Sequence, residues 1–218
     1  MSELPAKTSD LIDQLVTDLR PESRSRLLRS ISLGVLSGAV VSGIVVGSLW
    51  GVRPDMAAAL HTSTFWIKEF FVLSLAIVGF FIALKMARPD GQARGFIFLA
   101  IVIVLGLGTL AVLQLASAPT ELWKRLIMGN TSAVCPWLIL LLAIPIMLGL
   151  IWAMRRMAPT RLQFAGVAAG LTAGALSALI YSVSCDESTM PFIFIWYGGA
   201  IAVMAMIGAF VGPRVLRW

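Results

Sequence analysis

The sequence predicts an all-α fold, an integral membrane bundle of six transmembrane helices with a short cytoplasmic N-terminal amphipathic helix. Three observations carry this. The chain is 59% hydrophobic and only 13% charged, with mean hydropathy +0.92, whereas a soluble domain is roughly 45–50% apolar and about 25% charged. Six continuous apolar runs each approach the ~20 residues a helix needs to cross the hydrocarbon core. The segments flanking those runs alternate between rich and poor in Lys and Arg.

Residues 1–30 form a polar arm, and residues 31–218 form the membrane domain. Within the arm, Leu11, Ile12, Leu15, Val16 and Leu19 fall on one stripe of a helix. Thr8 or Ser9 caps its start, and Asp10 and Asp13 suit the positive end of its dipole. Pro21 ends this helix or opens a second turn. Arg20, Arg24, Arg26 and Arg29 then lead to the membrane.

The six runs are Ile31–Trp50, Phe70–Ala87, Gly95–Leu115, Pro136–Met154, Phe164–Val183 and Phe192–Val211. They are continuous rather than alternating, which excludes the strands of a membrane barrel. Of the 17 basic residues, thirteen flank one side of the bundle and four (Arg53, Lys68, Lys124 and Arg125) flank the other. By the positive-inside rule the rich side is cytoplasmic, so both termini are expected inside. The net charge of +6 is therefore read as topology, not as a nucleic-acid footprint. Glycines recur four apart at Gly34 and Gly38, at Gly43 and Gly47, through Gly166, Gly170 and Gly174, and at Gly208 and Gly212. Such spacing lets membrane helices approach closely, chiefly within the chain.

No run carries a charged residue at mid-membrane, which argues against a proton pump, a coupled transporter or a voltage sensor. Lys68 and Glu69 precede the second run and are expected to snorkel to the interface. Gln114 is expected to make an interhelical hydrogen bond, and His61 reads as a loop residue. There is no phosphate loop, no His-Glu-x-x-His and no Ser/His/Asp set. Neither enzymatic activity nor a cofactor is expected.

Chemistry then rests on two cysteines. Cys135 stands in Ala133-Val134-Cys135-Pro136-Trp137 at the head of the fourth run, and Cys185 closes the fifth. Two thiols are too few for a disulfide framework or a four-thiolate zinc site, and their spacing is not Cys-x-x-Cys. The topology puts both at the outer interface, facing the same water. Trp50, Trp66, Trp123, Trp137, Tyr181, Trp196 and Tyr197 map to the same level, as an aromatic belt would. Three readings stay open. The thiols are small apolar fillers, or they form a disulfide in an oxidising compartment, or they bind a soft metal ion with a carboxylate or His61 nearby.

The second half of the chain resembles the NrsF family of six-span bacterial membrane proteins, which are anti-sigma factors for extracytoplasmic-function sigma factors. The resemblance is carried by Cys135-Pro136-Trp137 and Pro145, then Arg155-Arg156 with Ala158-Pro159-Thr160. It continues through Ala165-Gly166, Ala169-Gly170 and Ala173-Gly174, Tyr181 with Cys185, Trp196-Tyr197, Gly208 and Gly212, and Leu216-Arg217-Trp218. It implies that the arm holds a sigma factor at the inner membrane, away from RNA polymerase and without itself contacting nucleic acid. It also implies that Cys135 and Cys185 respond to oxidants or heavy metals. On the arm, Asp10, Leu11, Asp13, Leu15, Val16 and Leu19 are the candidate partner-binding residues. A second class of function, a quinone-linked membrane thiol oxidoreductase, would use the same thiols. It lacks a Cys-x-x-Cys pair and a second thiol pair to pass electrons onward. A small-solute channel is disfavoured by the uncharged spans and short loops.

Overall fold

A computed structural model describes residues 24–88, 91–157 and 159–217. The arm residues Asp10, Leu11, Asp13, Leu15, Val16 and Leu19 lie outside the described residues, as do Ala158 and Trp218. Among the described residues the chain is helical and has no strand. The helices are α1 (Arg24–Leu49), α2 (Met56–Ala59), α3 (Ser63–Met86), α4 (Arg94–Ser117), α5 (Thr120–Met128), α6 (Cys135–Arg155), α7 (Leu162–Ser182) and α8 (Met190–Val215). Six of them, α1, α3, α4, α6, α7 and α8, are long and apolar enough to cross a membrane. The chain is thus a membrane protein of six spans, with the fold class that composition and run length predict.

Helix α7 is the hub, and its composition explains why. Its buried residues are mostly Ala and Gly, with Thr172, Ser177 and Ser182. A side chain on Gly166 would strike the Gly208 backbone carbonyl, one on Gly170 would strike that of Met204, and one on Gly212 would strike Leu162. The α7 and α8 backbones therefore touch. The same device seats α1 on α6, where Gly34 meets the Gly149 backbone and Gly38 meets Pro145 and Ile146. Pro145 removes a donor from the α6 ladder, and Ser42 Oγ donates to the nearby Leu142 carbonyl at 2.7 Å. Ser177 Oγ donates to the Ile139 carbonyl at 2.9 Å. Lipid is as apolar as leucine, so contacts of this kind, not hydrophobic exclusion, hold membrane helices together. Side chains added at Gly43 and Gly47 would meet nothing within 4 Å, so among the described residues that pair makes no close helix contact. Helix α4 is peripheral, with only Leu107 and Ala111 buried.

Three features depart from the sequence reading. Helix α1 begins at Arg24 rather than Ile31, which takes residues 24–30 of the arm into it. Helix α3 begins at Ser63 rather than Phe70, which carries Lys68 and Glu69 into the bundle. Helix α5 is an extra amphipathic element in the loop between α4 and α6. It is tied down by Trp196 Nε1, which donates to the Ile127 carbonyl at 2.8 Å, and by Thr189 Oγ1, which donates to that of Leu126 at 2.9 Å. Gln114 makes the expected interhelical bond, accepting from the Met190 N–H at 2.8 Å.

Gly170→Leu should force α7 and α8 apart and cost at least the roughly 1–3 kcal/mol of an overpacked core, because the obstacle is backbone. Gly43→Leu should be close to neutral. Thermal unfolding of the two variants in detergent checks this, and equal losses would contradict the packing scheme.

Candidate functional site

Cys135 is the first residue of α6, and Cys185 lies in the loop between α7 and α8. Pro136, at the first turn, has no N–H to leave unpaired. This fixes the start of α6 with Cys135 turned inward and Trp137 outward, where it is 71% exposed. The two sulfurs lie 3.5 Å apart. Both are free thiols, and both are buried, at 0% and 2% exposure. The expectation that both thiols share one end of the bundle holds, but the expectation that they face water does not. They face each other beneath a lid of loop.

Cys135 Sγ is also 3.1 Å from Thr131 Oγ1 and 3.3 Å from Tyr181 Oη. Tyr181 and Tyr197 are buried, with ring centroids 6.3 Å apart, so both leave the aromatic belt to which the sequence assigned them. Their hydroxyls are the reason, because each lies beside a sulfur. Trp50, Trp66, Trp123 and Trp137 remain exposed. Tyr197 is carried on a π-helical segment, Ile193–Tyr197, inside α8. Such a segment shifts the side chains that follow it and recurs at functional sites. The Tyr197 hydroxyl has no hydrogen-bond partner in this arrangement, although it lies close enough to Cys185 to influence its ionisation.

The largest correction concerns Lys68. It does not snorkel. Its side chain is fully buried, and Nζ donates to three backbone carbonyls, those of Cys185 at 3.1 Å, Glu187 at 3.2 Å and Ser182 at 3.3 Å. These are the three bonds an ammonium can make. One of the acceptors is a carbonyl at the C-terminal end of α7, where a cation suits the helix dipole. Glu69 is drawn in as well, its Oε2 accepting from Ser182 Oγ at 2.9 Å while Oε1 has no partner. Arg53, also buried, donates from Nη1 to the Cys185 carbonyl at 3.2 Å. Its other edge grips both Asp55 oxygens at 2.6 Å. That bidentate pair holds the Asp55 carboxyl below its usual range and the guanidinium above its own. Two cations from separate elements thus hold the backbone of one cysteine. Among the described residues no carboxylate forms an ion pair with Lys68.

The same surroundings act on the sulfur. The Cys185 thiol is pulled below its ordinary range, first by the hydrogen bond from Cys135, then against burial by Tyr197, the Glu187 backbone N–H and the Lys68 charge. When Cys185 is ionised, the Cys135 S–H is its donor. Glu187 closes the lid from the other side. Its carboxylate accepts the Asn130 N–H at 2.6 Å and fills the notch at Gly129, whose φ of +51° leaves no room for a side chain. A polar cavity of about 470 Å³, lined among others by Gln114, Arg125, Asn130, Asp186 and Glu187, opens beside this loop. Among the described residues no three His, Cys, Asp or Glu side chains come together as a metal site, and His61 is exposed. The chemistry the arrangement supports best is that of a dithiol with one activated member.

Sequence reasoning found both cysteines and both tyrosines but missed Arg53, Lys68, Glu69 and Thr131 as parts of the site. The available signal was the position of Lys68 and Glu69, two adjacent charges beside an otherwise uncharged apolar run.

The family model described as NrsF, negative regulator of sigma F, matches residues 15–218. A protein of Azospira oryzae named probable anti-sigma-F factor NrsF is 33% identical over 212 residues, covering 97% of this chain and 100% of the relative. The anti-sigma-F factor NrsF of Caulobacter vibrioides is 30% identical over 213 residues, again covering 97% and 100%. No solved structure matches the chain.

With its pKa depressed, Cys185 should stay ionised and reactive as pH falls below the ordinary thiol pKa of about 8.5, losing reactivity only on crossing its own lower value. Alkylation by a small haloacetamide, followed by peptide mass spectrometry across pH, reads this midpoint. Lys68→Met should raise the midpoint and slow alkylation near neutral pH by about tenfold, whereas Lys68→Arg should retain most of the wild-type rate.

Proposed function

The chain belongs to the NrsF family of negative regulators of sigma F, and from that premise we propose that it is an anti-sigma factor whose buried dithiol controls release of its partner. The partner is an extracytoplasmic-function sigma factor, held at the inner membrane by the cytoplasmic arm, residues 1–30. The observation that carries the sensing half of this reading is the 3.5 Å contact between Cys135 and Cys185 sulfurs, in a chain with no other cysteine. Positive-inside topology puts the arm in the cytosol with its partner and the thiols at the periplasmic side, where oxidants and heavy metals arrive first.

The oxidative step balances with a peroxide as acceptor. The Cys185 thiolate attacks one peroxide oxygen, becomes a sulfenic acid and expels hydroxide. Cys135 then displaces water as the S–S bond forms. The two sulfurs give up two electrons, and two peroxide oxygens leave at the level of water. Closing the bond draws the head of α6 toward the α7–α8 loop. It also removes the negative charge beside Lys68, leaving a buried ammonium without its anionic neighbour, a costly arrangement in a poorly solvated site. Helix α3 carries Lys68, and α6 and α7 are joined at the opposite end by residues 156–161, so both routes lead to the cytoplasmic face. For this to act as a switch, the two states must differ in affinity for the partner.

On the arm, Leu11, Leu15, Val16 and Leu19 offer an apolar stripe that would seat in a groove of the sigma factor. Asp10, Asp13 and Asp18 suit a basic surface. A helix this short is marginal alone, so it gains order from its partner. Its acidic character sets it apart from the basic helices that lie on membranes.

Replacing Leu15 and Leu19 with Asp should free the sigma factor, reducing its co-purification with the membrane fraction by tenfold or more (about 1.4 kcal/mol per decade). Undiminished co-purification would refute the arm assignment. Cys135→Ser with Cys185→Ser should retain the partner and lose induction of its target genes by oxidant, and full induction in that variant would refute the thiol assignment.

A further inference from the structure

At the end of the bundle opposite the thiols, a cavity lies between α1 and α6 beyond their backbone contact at Gly34 and Gly149. From α1, Arg26, Arg29, Ser30 and Leu33 line it, at the 0, 3, 4 and 7 spacing of one helical face. From α6 and the turn after it come Trp152, Arg156 and Met157. Together they enclose a cavity of about 450 Å³, the size range of small-ligand sites.

Three properties of this cavity go beyond the scatter of arginines that topology alone requires. Arg156 is placed, not loose, since its guanidinium carbon lies 3.9 Å from the centroid of the Trp152 ring. That cation–π stack orients the guanidinium plane and leaves its N–H edge available. Among the described residues no carboxylate lines the cavity, and neither Arg29 nor Arg156 forms an ion pair. The wall continues as apolar surface, because Leu33 and Trp152 are each more than half exposed, and Leu36 and Leu148 extend the strip along the two helices toward mid-membrane.

We propose that this cavity binds an anionic phospholipid, with its phosphate between Arg29 and Arg156 and its acyl chains along Leu33, Leu36, Trp152 and Leu148. The Ser30 hydroxyl supplies a further donor, and paired guanidinium groups match phosphate oxygens in a fork geometry. A free phosphate would satisfy the arginines and leave the apolar strip unmatched, whereas a phospholipid satisfies both. Basic pockets between membrane helices at the headgroup level take such lipids. The bound lipid would tie the root of the N-terminal arm to the α6–α7 turn, the region that any signal from the thiols must cross. The site does not use the thiols, and of the arm it takes only Arg26, Arg29 and Ser30, which lie in α1.

The test uses the full-length protein in detergent, with native mass spectrometry after adding phosphatidylglycerol or phosphatidylcholine of identical chains. Wild type should retain phosphatidylglycerol selectively and gain thermal stability from it. Soluble glycerol phosphate should neither bind nor compete at equal concentration. Arg29→Gln with Arg156→Gln should weaken phosphatidylglycerol binding about thirtyfold, at about tenfold per one to two removed charges, with phosphatidylcholine unaffected. Equal retention of the two lipids by wild type, displacement by glycerol phosphate, or an unchanged double variant would each overturn the proposal. If the double variant fails to fold, the selectivity and stabilisation measured on wild type still decide it.

Discussion

The geometry of the site depends on one buried ammonium. Lys68 gives its three N–H bonds to the carbonyls of Ser182, Cys185 and Glu187, so a single side chain on α3 shapes the whole turn that carries the second thiol. Without it, the Ser182 and Glu187 carbonyls would lose this donor, at roughly 1–3 kcal/mol each, and the Cys185 carbonyl would keep only its bond from Arg53. Arg53 adds a fourth bond to the same loop, from the α1–α3 connection. The loop has little hydrophobic reason to adopt this path, and the cations supply an electrostatic one. The consequence is chemical as well as structural, because positive charge next to Cys185 favours its thiolate over its thiol.

The frame around that site is rigid for a different reason. Backbone contact at Gly166, Gly170, Gly208 and Gly212 fixes α7 against α8, and Gly34 and Gly38 fix α1 against α6. Cys135 begins α6, and Cys185 lies between α7 and α8. A change in the distance between the sulfurs therefore acts on helices that pack without slack, and close-packed interiors respond to strain by switching rather than by gradual deformation. The buried sulfurs also imply selectivity. A reagent must be small or must wait for the lid to open, and the Glu187–Asn130 bond is one of the contacts keeping it shut.

The fold was legible because run length and composition carry it. A continuous apolar stretch of about twenty residues has one solution in a bilayer, and glycine spacing marks two of the helix contacts, α7 on α8 and α1 on α6. Gly43 and Gly47 show the limit, since the same spacing there meets nothing. The site was legible only in part. Topology alone brought Cys135 and Cys185 to one end, but contact between their sulfurs depends on a loop path set by Lys68 and Arg53. The usual behaviour of a lysine near an interface is to reach water, and the one local signal, the adjacent charges of Lys68 and Glu69, does not say what they bind. Its burial follows from carbonyls some 115 residues away in the chain. Tyr181 and Tyr197 were placed at the right level and given the wrong direction for the same reason, because a period-3.6 pattern in a uniformly apolar helix does not tell lipid from neighbour.

The central claim is that the thiol pair and partner release are one equilibrium. It is tested most directly by co-reconstituting the full-length chain with its sigma factor in liposomes and titrating with peroxide. In each sample the intramolecular Cys135–Cys185 disulfide is measured by mass spectrometry and the membrane-bound sigma factor by flotation. Bound partner should fall in step with disulfide formed and return on reduction. A chain carrying the complete intramolecular disulfide with its partner still fully bound would contradict it.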